Sequence, residues 1–474
     1  MNNQKTTLQR SLGLLSCIVL VISAIIGSGV FKKVAPMSES LHLPGYVLLA
    51  WILAGTISLF GALSNAEIAG MFADSGGEYA YFKKIYNPFF AFLFGWGCFA
   101  AIRSASIASI AYVFAESLNH LIHLPALGNS EYALFGGLHV LENLTVKLLA
   151  AGLLIGLTFI NYKGLKLGEK VSRTLTFTLI ACILFLIISG LLSSHGNWSH
   201  VTTPSSNFVA QPFLSSGFLA LLFTAMLGSF WAYEGWNNIG YIGGEIKNPQ
   251  KNIPLALLIG VLIVMTLYVS LNFVYHYISP IDDIIARKTT GSGIAAVDIV
   301  GIYLGKTGAL FVSCLILVTT FNATNATILM ASRIYYAMAK DGVFFKKADF
   351  VHPEYKTPSY SLWIQCLWSV ILLFSGSFDQ LTDMLIFASF LFYGATALGV
   401  FIMRKKAPDL ERPYKVIGYP IVPAIFVLFC LGLIIYTPSQ RPFEAMIGIA
   451  LILSGIPFYW WWKKKQPEKN AAGS

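Results

Sequence analysis

Charge is what this chain has least of. Of its 474 residues only 11% are Asp, Glu, Lys or Arg, against 56% hydrophobic. Soluble domains carry about a quarter of their residues as charges, so this chain lacks the means to wet its own surface. The six cysteines, Cys17, Cys98, Cys182, Cys314, Cys366 and Cys430, all fall inside apolar runs and none in a long loop. That argues against a disulfide framework and for small-hydrophobe packing. The eight histidines sit in loops or at the ends of apolar runs. No metal-ligand spacing, phosphate-cradling loop or nucleophile elbow is present, so no catalytic residue and no metal ligand is named. An intramembrane enzyme, which needs such groups clustered at depth, is the remote alternative. The first apolar run starts near Leu12 and continues past Val30 with no small-residue cleavage site, so no cleavable signal peptide is expected.

What is present is a series of apolar runs. Twelve are read at roughly 12–36, 44–72, 88–118, 145–162, 172–193, 213–242, 254–277, 309–338, 360–376, 379–403, 419–437 and 442–462. About 20 apolar residues cross the hydrocarbon core, so the expected fold is an all-α membrane protein of about twelve transmembrane helices, with the lipid bilayer as its solvent. The net charge of +10 does not call for nucleic acid, because the basic residues lie in short loops and not on a soluble basic face. Lys and Arg divide 24 to 7 between the two faces, and Arg103 inside segment 3 completes the total of 32. The positive-inside rule then places both termini in the cytoplasm of a multi-pass cell-membrane protein. On that face, Ser75-Gly76-Gly77-Glu78-Tyr79-Ala80-Tyr81 opens a stretch that reads as an interfacial amphipathic helix or as a solvated turn. Gly244-Glu245-Ile246-Lys247-Asn248-Pro249 and Pro254 should end segment 6 and start segment 7.

Two segments carry residues unsuited to a plain spanning helix. Segment 1 contains Ile25-Ile26-Gly27-Ser28-Gly29-Val30, and segment 6 contains Trp231-Ala232-Tyr233-Glu234-Gly235-Trp236-Asn237-Asn238. Close packing through small residues and an aromatic belt are the bland alternatives. Segments 1 and 6 are five apart, so they cross in opposite directions, as in carriers built from two inverted five-helix repeats. A break at mid-membrane frees amides that suit a carboxylate and carbonyls that suit an ammonium. A site offering both fits a zwitterion, of which an α-amino acid is the simplest.

Ile26-Gly27-Ser28-Gly29-Val30-Phe31, Trp231-Ala232-Tyr233-Glu234-Gly235-Trp236-Asn237 and Gly244-Glu245-Ile246-Lys247-Asn248-Pro249 together resemble the amino acid–polyamine–organocation superfamily. Within it they look most like the L-amino-acid transporter family, and the similarity runs over nearly the whole chain. The resemblance implies a LeuT-like fold with broken helices 1 and 6. It divides the chain into a cytoplasmic N-terminus (1–11), a first repeat (12–193), an extracellular loop (194–212), an inverted second repeat (213–403), two additional helices (404–462) and a cytoplasmic tail (463–474). It also implies a secondary transporter of L-amino acids, most simply neutral ones, working by alternating access as an exchanger. In that reading Gly27 belongs to the break, and the amides of Ser28 and Gly29 receive the substrate carboxylate. The carbonyls of Ile25, Trp231 and Glu234 receive its amino group, and Trp231 stands as an aromatic gate.

Departures from the family pattern matter. Glu234 stands where Gly is common; it would neutralise a cationic substrate side chain, hydrogen-bond within the break, or stay protonated. Many members carry a lysine inside segment 5, whereas here no Lys follows Arg173 and Leu179 falls near that position. No cofactor is expected, but sodium or proton coupling is then an alternative to exchange, as is transport of cationic amino acids or amines. Thr319, Thr320 and Asn322 offer oxygens for a cation site, or pack helices. Arg103 near mid-segment 3 needs a partner, and Glu234 is a conceivable one. Glu67, Arg103, Tyr233 and Asn325 are the candidate gate or path residues, with loop anchoring and interhelical hydrogen bonding as the alternatives for Glu67 and Asn325. The loop after segment 3 lacks the cysteine that animal members use to bond a glycoprotein subunit, so no disulfide-linked heavy subunit is expected.

Overall fold

The computed structural model describes residues 10–72, 74–125, 127, 143–287, 294–375, 378–440 and 442–465. Among the described residues eleven helices are long and apolar enough to cross a membrane, and the apolar helix Ser359–Ser375 completes twelve spans. In hydrocarbon a helix satisfies every backbone group within its own segment. Span 1 is Leu14–Ile25 followed, after a break, by Gly29–Lys32 and Val34–Leu41. Spans 2 to 5 are Pro44–Met71, a composite helix from Pro88 to Ile122, Leu144–Tyr162 and Leu165–Leu191. Span 6 is Ser216–Tyr233, a break, then the tight turn Trp236–Tyr241. Spans 7 to 12 are Pro249–Ile278, Ala295–Lys340, Ser359–Ser375, Phe378–Lys406, Ile421–Gln440 and the pair Pro442–Leu453 and Gly455–Lys465.

Local chemistry sets the ends. Pro44, Pro88 and Pro249 open their helices, where a missing amide costs nothing. Asn87 accepts from the Phe90 amide at 2.9 Å and Ser215 from the Phe218 amide at 3.2 Å. Three expected boundaries move. Span 5 begins at Leu165, not 172. Span 7 begins at Pro249, so Pro254, expected as its start, lies inside; one proline this early loses a single ladder bond. Span 8 extends back to Ala295 through a turn at Gly305, whose φ of +65° favours glycine. The stretch after span 2 is a helix, Glu78–Ile85, but it buries Glu78, Tyr79, Tyr81, Phe82 and Ile85 in the bundle.

Span 7 packs along spans 1 and 2, span 8 along spans 3 and 5, and spans 11 and 12 against span 10. Ile155, Phe159, Phe185, Ile188, Leu367, Leu428 and Ile435 are exposed on the outer faces, as a lipid-facing surface requires. The described cysteines are all free.

One end of the bundle is tied shut. The Ser11 and Leu12 amides both donate to the Glu245 carbonyl, at 2.9 and 3.1 Å, and the Lys247 amide donates to Leu12 at 2.8 Å. The Arg333 guanidinium, at the end of span 8, holds the Glu245 carboxylate at 2.8 and 3.3 Å, with both side chains 1% exposed. Trp462 of span 12 packs on Phe344 beyond span 8, with ring centroids 5.9 Å apart, so both described termini lie at this end. Breaking a buried pair by removing one partner costs about 3–5 kcal/mol. Arg333→Ala is therefore expected to lower the melting temperature in detergent. Arg333→Ala combined with Glu245→Ala should recover part of that loss.

Candidate functional site

The two breaks meet. At the first, Ile26 leaves the helix with ψ 96°, and its amide still reaches the Ile22 carbonyl. Ser28 then starts a new turn, and the amides of Ser28 and Gly29 find no acceptor among the described residues. At the second, Glu234 is extended, with φ −65° and ψ 150°, and Gly235 takes φ +110°. Each break is built to the other's surface. A Cβ on Gly29 would lie 2.5 Å from the Ala232 Cβ, and one on Gly235 would lie 2.5 Å from the Ala24 carbonyl oxygen. Glycine is thus required twice, once on each helix, for the half-helices to touch.

Span 7 supplies the bolt between them. The Tyr268 hydroxyl lies 3.1 Å from the Ile25 carbonyl and 3.2 Å from the Ala232 carbonyl, with the Gly27 amide beside it. It carries one proton for two acceptors, so one carbonyl is always short of a donor. Behind it Trp51, Tyr233 and Tyr268 form an edge-packed trio with centroids 5.2 to 5.8 Å apart.

A buried charge network runs below the second break. Span 3 is interrupted by a wide π turn at Cys98–Ile102, directly before Arg103; such turns re-aim the side chain that follows. Arg103 Nη2 lies 2.9 Å from Glu234 Oε1, with the two side chains 0% and 8% exposed. The same nitrogen donates to the Tyr393 hydroxyl of span 10 at 2.8 Å. That hydroxyl lies 2.6 Å from Glu234 Oε1 and 3.0 Å from Asn237 Oδ1. Asn237 Nδ2 in turn donates to Glu78 Oε1 at 2.8 Å, and Asn65 Nδ2 of span 2 does so at 2.9 Å.

The breaks are sealed from the tied end. Trp236 to Ile242 are all buried, whereas Gly27, Trp231 and Glu234 are half-buried. Beyond the breaks in the opposite direction, Lys33 Nζ sits 5.4 Å from the Trp231 ring centroid, and Lys32 pairs with Glu116.

A family profile for amino acid permeases matches residues 12–460. The chain belongs to the amino acid permease family. The permease is 30% identical over 458 residues to the human b(0,+)-type amino acid transporter 1, covering 96% of this chain and 88% of that protein. It is 29% identical over 465 residues to the serine/threonine exchanger SteT of Bacillus subtilis (strain 168), covering 97% and 98%. To the human cystine/glutamate transporter it is 28% identical over 460 residues, covering 96% and 86%. It is a multi-pass amino acid carrier and not an enzyme.

The site residues named from sequence scatter in role. Ile25, Gly27, Ser28, Gly29, Trp231 and Glu234 gather at the two breaks. Arg103 and Glu234 meet each other. Tyr233, expected in a gate or path, is instead packed away from the breaks' open side, its hydroxyl on the Trp51 carbonyl at 3.2 Å. Glu67 is a loop anchor: Arg404 grips it at 2.9 and 2.7 Å, and the Val416 amide donates to it at 2.7 Å. Asn325 accepts from Asn161 of span 4 and donates to Ser172 of span 5, at 2.8 and 2.9 Å. Thr319 and Thr320 donate to their own helix at Ile316. Asn322 donates to Thr176 of span 5 at 2.9 Å and leaves its Oδ1 buried without a partner.

Sequence reasoning missed Tyr268, Tyr393, Asn237 and Glu78 as parts of the site. Tyr268 and Tyr393 lie far along the chain in ordinary apolar runs, and nothing local marks them. Glu78 stood in a quoted loop motif, but its burial was not legible.

Two outcomes are expected. Gly235→Ala places a Cβ on a backbone oxygen at positive φ, and should abolish transport and lower the yield of monodisperse protein. Tyr268→Phe strips two carbonyls of their donor, which costs about 1–3 kcal/mol. It should raise the KM for amino acids more than it lowers the maximal rate, measured by uptake into proteoliposomes.

Proposed function

We propose that this permease exchanges neutral L-amino acids across the cell membrane by alternating access. The observation that carries the reading is the contact of the two breaks, with the Ser28 and Gly29 amides open on one side and helix-end carbonyls on the other. The amides suit the substrate carboxylate, and the Ile25, Trp231 and Glu234 carbonyls suit its ammonium. Trp231 closes over the substrate as a gate. Arg103 already neutralises Glu234, which speaks for neutral side chains over cationic ones.

Both termini lie in the cytoplasm, as the excess of Lys and Arg in the loops at the tied end indicates. The structure then faces outward, with its cytoplasmic end sealed. Residues 12–193 and 213–403 act as inverted repeats, with 404–462 added. Exchange follows the name of one relative, the serine/threonine exchanger SteT. The permease works without a disulfide-linked subunit. Cation coupling is the second reading, favoured by the absence of any lysine after Arg173 in span 5 and by the free Oδ1 of Asn322 near Thr176.

Reconstituted protein should take up labelled neutral amino acid only when the liposomes hold unlabelled amino acid. Uptake from empty liposomes that follows a sodium or proton gradient would sink the exchange reading. Glu234→Gln leaves Arg103 without its counter-charge, so uptake of all substrates should fall together. A selective loss of lysine transport would instead make Glu234 a side-chain selector.

A further inference from the structure

Among the described residues, the buried carboxylates of this permease are matched with cations, with one exception. Glu67 has Arg404, Glu245 has Arg333, Glu234 has Arg103, and Glu169 has Arg173. Glu78 is as deeply buried as any of them, yet among the described residues it has no ion pair. Its Oε1 accepts two amide donors, from Asn65 and Asn237. Its Oε2 is buried and accepts no hydrogen bond from another described residue. The cation nearest to it in the network, Arg103, already lies 2.9 Å from Glu234.

We infer that Glu78 is a proton-binding site: it holds a proton while the cytoplasmic end is sealed and gives it up when that end opens. The sidedness rests on the cytoplasmic placement proposed above. The physical reason is the charge count. Two carboxylates share one guanidinium in a dry cluster, and like charges with a single counter-ion cannot both ionise there without a large penalty. Glu234 touches the guanidinium and accepts from Tyr393. Glu78 meets neutral groups: Asn65 from span 2, Asn237 and Tyr241 from span 6, Cys98 from span 3, Tyr393 from span 10 and Tyr81 from its own helix, with Arg103 acting from beyond Asn237. Burial pushes its carboxyl up from 4.5 to about 7.

The position of Glu78 ties the proton to the gate. It opens the helix Glu78–Ile85, directly after Gly76 and Gly77. The Gly76 amide donates to the Tyr241 carbonyl at 2.8 Å, and a Cβ on Gly77 would lie 2.5 Å from the Tyr241 ring. When the cytoplasmic half of span 6 moves, Asn237 leaves Glu78 and water enters. The O–H bond then breaks with both electrons left on the carboxylate, and the proton passes to water. The sign follows. A carboxyl raised in the sealed state favours that state fully below its ordinary range, near 4.5, and loses the advantage as pH rises through about 7. Cytoplasmic acid should hold the permease sealed.

The test uses the full chain in lipid nanodiscs, so it does not depend on which solute is carried. Hydrogen exchange at the Ser11, Leu12 and Lys247 amides, corrected for the intrinsic pH dependence of exchange, reports the gate. Between about pH 6 and 8, protection in the wild type should fall several-fold, while Glu78→Gln should stay protected and flat. The infrared band of a protonated carboxyl should be present in the wild type at the acid end and fade toward the alkaline end. Glu78→Asp should shift that band and Glu78→Gln should remove it, and the band in the wild type decides the matter if the variants fail to fold. A flat wild-type profile, or a Glu78→Gln profile that follows the wild type, would overturn the inference. Failure of amino acid exchange in liposomes, with these profiles intact, would count against the transport reading and not against the proton site.

Discussion

In hydrocarbon a backbone amide or carbonyl without a partner costs several kcal/mol, and this chain interrupts two of its spanning helices at depth. The remaining architecture answers that cost. Gly29 and Gly235 let the two interruptions lie against each other, so each shields the other's backbone. Tyr268 reaches in from span 7 to serve carbonyls of both. Among the described residues the amides at Ser28 and Gly29 stay unserved, and Tyr268 leaves one of its two carbonyls short of a donor; donors and acceptors left this way side by side are what a zwitterion completes.

Charge follows the same rule. Arg103 at full burial is tolerable only because Glu234 and Tyr393 meet it. The network extends through Asn237 to Glu78 and Asn65, so it joins spans 2, 3, 6 and 10 below the substrate position. Movement of the half of span 6 at the tied end must pull on this network and on the backbone ties at Leu12, Gly76 and Glu245. The same contacts that seal the end therefore record whether it is sealed. A two-state element biased by both substrate and proton is the physical form such coupling takes.

The spans and both breaks were legible in the sequence because they are one-dimensional signals: run length, glycine placement and a carboxylate out of place. The pairing of Arg103 with Glu234 was legible only as a need, since each buried charge demands a partner. Tyr233 shows the opposite case. It sits inside the break motif, yet its helix rotation turns it onto the Trp51 carbonyl. Asn325 and Glu67 likewise had several chemically sound roles, and only their neighbours at 2.7 to 2.9 Å chose among them.

By itself the sequence determined that the chain lives in a bilayer, crosses it about twelve times and breaks helices 1 and 6, because hydrophobic length and backbone breakers act locally. The tertiary structure decided which groups face one another. Tyr268 and Tyr393 became site residues, and Glu78 became a buried acid with no ion pair among the described residues, because these contacts join residues from distant spans. Hydropathy sees each span alone; partner, rotation and burial belong to the packed bundle.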